Sequence, residues 1–140
     1  MKRPSKTELI RLHSERTGDK RDPNRQRIAA EAEEEWLARN GRRIAAARSH
    51  IQNGGIGAAV DWNEGFMYAI LDDEPFEYST KRALDRLNEI EQDSLRTINL
   101  ARERAEVIEL EQLENGYRIW REMQDKPKRN KDFSARRKRL

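Results

Sequence analysis

Apolar residues recur at three- and four-residue steps through most of this chain, the spacing that lines up side chains on one face of an α-helix. Ser5-Lys6-Thr7-Glu8 has the form of a capping box, in which the serine hydroxyl accepts from the amide of Glu8. Leu9, Ile10 and Leu12 follow as a short apolar face and Gly18 as a stop, predicting a helix over 6–17. Asp22-Pro23 then supplies an N-cap carboxylate and a proline in the first turn, where its missing N–H costs nothing. Ala29, Ala32, Trp36, Ile44, Ala47 and Ile51 continue the period and predict a second helix of about thirty residues. Asn40-Gly41 is a candidate kink, and Asn53-Gly54-Gly55 a natural end.

Residues 56–71 form the most apolar and aromatic stretch. Ala59, Trp62, Phe66 and Ile70 fit a helix, which is favoured. Val60, Trp62, Phe66, Tyr68 and Ile70 also fit strand alternation, with Asn63-Glu64-Gly65 as a hairpin turn. On either reading the segment is core. After the acidic link Asp72-Asp73-Glu74-Pro75, a helical pattern runs from Ser79 to Gln124. Its stripe comprises Leu84, Leu87, Ile98, Ala101, Ala105, Ile108, Leu113, Tyr117, Trp120 and Met123. As a coiled-coil heptad it is imperfect, because Glu91 and Ser94 stand where apolar residues are wanted, and Asn115-Gly116 is a candidate break. The expected fold is mainly α: a short first helix, a second long one, the aromatic segment and a long last helix ending in a disordered basic tail. The long helix is expected to pack on its own copies or back on the second helix.

Composition sharpens this picture. Of the 140 residues, 39% are charged and 35% hydrophobic, which favours solvated helices and a modest core. The net charge of +3 is segregated. Residues 1–28 carry +5, 29–52 are balanced, 53–78 carry −6, 79–125 carry −3 and 126–140 carry +7. Three regions follow: a basic N-terminal arm over 1–22, a helical domain with an acidic centre over 23–125, and a basic flexible tail over 126–140. There is no cysteine, which excludes disulfides and thiolate metal sites. No apolar run approaches the roughly 18–20 residues of a membrane span, so a cytoplasmic protein is expected.

The tail carries the strongest chemical signal. Lys126, Lys128, Arg129, Lys131, Arg136, Arg137, Lys138 and Arg139 face a single acid, Asp132. Cations in a mobile arm release counterions from a phosphate backbone, so DNA or RNA is the expected partner, bound with little sequence readout. Trp62, Phe66, Ile98, Ile108 and Trp120 are expected interface residues of a homo-oligomer. Catalysis has no comparable signal. His13 and His50 are the only histidines, lack an acid at helical i+4 spacing, and are expected at the surface or its boundary. Asp61, Glu64, Asp72, Asp73, Glu74 and Glu77 lack the alternation of a calcium loop, and no cofactor or metal is expected.

The expected function is therefore a non-catalytic, oligomeric, nucleic-acid-associated or assembly protein. The alternative is an adaptor or inhibitor that binds another protein through the aromatic segment and acidic patch, and an acidic protein surface is the second candidate partner of the basic tail. In outline, helices with an acidic middle and a basic tail are similar to small viral assembly proteins such as scaffolding or packaging subunits; the likeness covers no specific motif.

Overall fold

Local signals set the element boundaries in the computed structural model, which describes the backbone of residues 2–138 and the side chains of residues 2–125. Ser5 caps the first helix, α1 (Lys6–Thr17), by accepting from the Glu8 amide at 3.2 Å. Gly18 ends it in the left-handed region (φ 71°), returning its N–H to Ser14 O. Asp22 Oδ1 accepts from the Asn24 amide at 2.9 Å and opens α2 (Pro23–Trp62). Asn63 Oδ1 accepts from the Phe66 amide and starts α3 (Glu64–Ile70). A 3-10 turn, Pro75–Glu77, leads to α4 (Thr80–Lys138).

The protein is all-helical among the described residues, and residues 56–71 are helical on both sides of Asn63, so the hairpin alternative falls away. Gly41 causes no kink in α2. The break comes at Gly55, whose φ of 80° and ψ of −175° only glycine adopts readily, and the helix resumes at once. Asn115-Gly116 does not interrupt α4. The tail over 126–140, expected to be disordered, lies outside the residues described in full.

The chain divides into two compact units, Gln26–Arg102 and Met1–Arg25 with Glu103–Leu140. In the first, α4 packs back on α2. Ile44, Ala47, Ile51, Ala59, Val60, Met67, Ile70, Leu71, Ala83 and Leu87 form its main core, and Ala30, Ile98 and Ala101 a smaller one with Leu37 beside it. Full burial of a residue such as Ile44, Met67 or Leu87 stabilises by about 1.5–3 kcal/mol.

The inner stripe of α2 differs in phase from the expected one. Ala29 and Ala32 are exposed, whereas Ala30 is buried and Glu33 and Leu37 are half-buried on the same face. A polar residue holds an inward position because it has a partner: Ser94 Oγ donates to Glu33 Oε1 at 2.8 Å. Arg48 similarly reaches across from α2 to Asn88 Oδ1 (2.8 Å) and Glu91 Oε2 (3.5 Å). Arg102 pairs with Glu34 rather than with Glu106 one turn along its own helix. The two residues that spoil the heptad, Glu91 and Ser94, are thus among those that α2 engages.

In the second unit α4 turns Ala105, Gln112, Gly116 and Ile119 inward. Leu113, Tyr117 and Trp120 are half-buried and Met123 is exposed, one residue out of phase with expectation. Gly116 explains part of this shift. A Cβ there would collide with the backbone of Leu9, so the glycine lets α1 approach α4 at backbone distance. Leu12 and His13 are the buried residues of α1.

Candidate functional site

A polar network built around His13 organises the second unit. His13 is only 6% exposed, deeper than the surface or boundary position expected of it. Its Nε2 donates to Asp19 Oδ2 at 2.8 Å, and its Nδ1 accepts from Asn115 Nδ2 at the same distance. A carboxylate can only accept, so the network assigns the ring proton to Nε2. Thr17 Oγ1 donates to His13 O and accepts from the Asp19 amide. Arg21 grips Asp19 through Nε and Nη2, then extends Nη2 to Glu111 Oε2 at 3.0 Å. Gln112, buried on α4, donates to Arg21 O at 2.8 Å. Hydrogen bonds from Arg21, then from His13, hold the Asp19 carboxyl well below the usual carboxylate range and push the Arg21 guanidinium up.

The network resembles a catalytic dyad only in composition. Both ring nitrogens are engaged, and the neighbouring Thr17 hydroxyl is spent on a backbone carbonyl. Sequence reading missed the arrangement because Asp19 and Asn115 lie six and 102 positions from His13, beyond any helical spacing. Beside it, Leu12, Glu15, Arg16, Ile119 and Met123 line a shallow groove of about 280 Å³.

The expected interface residues fall into different environments. Trp62 and Phe66 are half-buried against the main core, the Trp62 ring lying 5.3 Å from His50 in a stack and 5.9 Å from Phe66 edge-on. Ile98 is buried against the smaller core. Ile108 and Trp120 are half-buried, Trp120 tilted against Tyr117 at 5.8 Å. The apolar side chains most open to solvent are others, including Phe76 at 64%, Val107 at 53% and Leu110 at 58%. Nothing in residue type separates Val107 from its half-buried neighbour Ile108; only the helix phase does.

The acidic link is exposed at Asp72, Asp73, Glu74, Phe76 and Glu77, while Pro75 is buried and anchors it. Asp72 and Asp73 adopt left-handed conformations (φ 53° and 63°). Tyr78 Oη donates to Asp72 Oδ2 at 3.1 Å, and Arg82 lies 4.7 Å over the Tyr78 ring. Burial, then the bond to Asp72, raises the Tyr78 phenol. A hydrogen bond with the Glu77 carboxyl, then the repulsion of its charge, raises Glu74. Asp72, Tyr78, Arg82, Asp85, Arg86 and Glu89 enclose about 370 Å³ of polar space. Among the described residues no group of three or more His, Cys, Asp or Glu is placed to hold a metal ion, and no helix is long and apolar enough to cross a membrane.

The charge segregation follows the structural division. The unit Gln26–Arg102 has ten Lys or Arg against fourteen Asp or Glu, net −4, and the other unit has nineteen against twelve, net +7. The eight cations of residues 126–140 belong to the latter; their side chains lie outside the described residues. No family model matches the chain, nor does a curated protein or a solved structure.

Proposed function

We propose that this protein is a non-catalytic nucleic-acid-associated protein that grips phosphates through residues 126–140. The observation that supports this reading is the concentration of charge: a unit of net +7 holds eight of its cations in fifteen consecutive residues, joined to a unit of net −4. An arm of that density gains affinity from counterion release without a defined shape. The acidic unit repels the same polyanion, which favours contact by the basic end alone.

The test is a filter-binding titration at several salt concentrations. If all eight cations meet duplex phosphates, log K against log salt has a slope of about −7. Changing Arg136, Arg137, Lys138 and Arg139 to Gln should halve that slope and lower affinity about equally for unrelated sequences, because phosphate contacts carry no sequence information. Unchanged affinity and slope would remove the tail from the mechanism. A second reading, an adaptor for another protein, draws support from Phe76, an exposed aromatic between Glu74 and Glu77. It would bind a partner with an apolar pocket and a basic rim.

A further inference from the structure

We propose that the outer face of α4 at Val107 and Leu110 receives residues 126–140 of a second copy of this chain. Glu103, Val107, Leu110 and Glu114 recur at steps of four, three and four, so they share one stripe. That stripe points away from the buried Ala105 and Gln112 of the same helix, and Val107 and Leu110 are both more than half exposed. The surroundings are acidic. Residues 103–114 contain five glutamates and one cation, Arg104. Glu111 is taken by Arg21 and Glu109 has contacts of its own, whereas Glu103, Glu106 and Glu114 are exposed around the apolar pair.

An apolar pair rimmed by carboxylates selects a ligand with an apolar side chain among closely spaced cations. The chain contains one such segment. Residues 126–140 hold eight Lys or Arg together with Phe133 and Leu140, and no window of fifteen residues that lies outside them holds more than five. Two copies of the acidic face would repel each other, which disfavours pairing of like faces. A tail folding back within its own chain is also disfavoured. From Leu110 to Lys126 the helix rises about 24 Å at 1.5 Å per residue, and it runs on to Lys138, carrying residues 126–138 further from Leu110 of the same chain. A tail arriving from another copy can bring all eight cations to the face. The contact is head-to-tail, so its geometry permits chains of copies as well as closed rings.

This inference goes beyond the nucleic-acid reading and uses the same tail. The full chain is followed by light scattering over a range of protein concentrations, at about 50 mM and about 500 mM salt. The weight-average mass should rise with concentration at low salt and fall to that of one chain at high salt. Two full-length variants are then compared. One carries Val107→Ser with Leu110→Ser; the other carries Arg136→Gln, Arg137→Gln, Lys138→Gln and Arg139→Gln. Each alone should remain monomeric, and an equimolar mixture should regain the mass of two chains, since one supplies an intact tail and the other an intact face. A wild type monomeric at every concentration overturns the proposal, as does a mixture that stays monomeric. If thermal melting shows the Ser variant to be poorly folded, Glu103→Gln with Glu114→Gln takes its place with the same expected outcome. The face variants should bind nucleic acid as the wild type does, so the two readings fail separately.

Discussion

Gly116 of α4 lies directly beneath the backbone of Leu9 in α1, close enough that a methyl group between them would overlap the Leu9 carbonyl. Gly116→Ala should therefore push α1 off α4 and destabilise the protein by about 1–3 kcal/mol, the usual cost of overpacking. Gly41 offers the opposite case, an interior helical glycine with nothing near its Cβ position. Gly41→Ala should stabilise by about 0.5–1 kcal/mol. Urea denaturation of both variants should give midpoints on either side of the wild type.

His13→Ala should cost about 1–3 kcal/mol, because Asp19 and Asn115 each lose a partner in a mostly enclosed site. A double-mutant cycle with Asn115→Ala should show a sum of single effects larger than the combined effect. Strict additivity would mean that the two side chains are energetically independent.

Asp19 gives the protein an acid limit. Its carboxyl is held below the ordinary carboxylate range in the folded state, so its contribution is complete above the unfolded value of about 3.9. As pH falls below that value the contribution is lost progressively, since the unfolded chain takes up the proton first. Melting temperature should therefore drop more steeply between about pH 5 and about pH 2.5 in the wild type than in Asp19→Asn. Parallel curves would contradict the assignment.

Ile98→Ala should cost about 2–5 kcal/mol by opening a cavity beside Ala30 and Ala101. An effect confined to subunit mass, with melting unchanged, would instead place Ile98 at an interface between copies.

Gly55→Ala should cost about 1–3 kcal/mol, since the break in α2 uses a backbone conformation that a Cβ opposes. Circular dichroism melting would register the loss.

Boundaries were legible wherever one residue dictates them: Ser5 and Gly18 around α1, and Pro23 at the head of α2. The phase of the stripes was less legible. Sequence reading searches for apolar residues, but α2 and α4 place Glu33, Ser94, Gln112 and Gly116 inward. These residues go inward because of partners distant in the chain: Ser94 for Glu33, the Arg21 carbonyl for Gln112, the Leu9 backbone for Gly116. Gly55 read as an end, because nothing local says that Ile56 resumes the helix. The cations of the tail were evident from composition. The acidic apolar stripe at Val107 and Leu110 was not, since its residues differ from their buried neighbours only in the direction they face.

The pairing of Ser94 with Glu33 and of Arg48 with Asn88 also determines how α4 may slide along α2. Alanine-rich seams are smooth: Ala30, Ala47, Ala83 and Ala101 present small, nearly interchangeable bumps. A displacement of seven residues, about 10.5 Å, would still set Phe76 or Ile90 in the place of Ala83. The polar pairs do not repeat on that interval. A slipped helix would bring Glu33 against a residue unable to donate to it and leave Arg48 without its amide. Those few hydrogen bonds work as detents, marking the same resting position that the apolar packing fills.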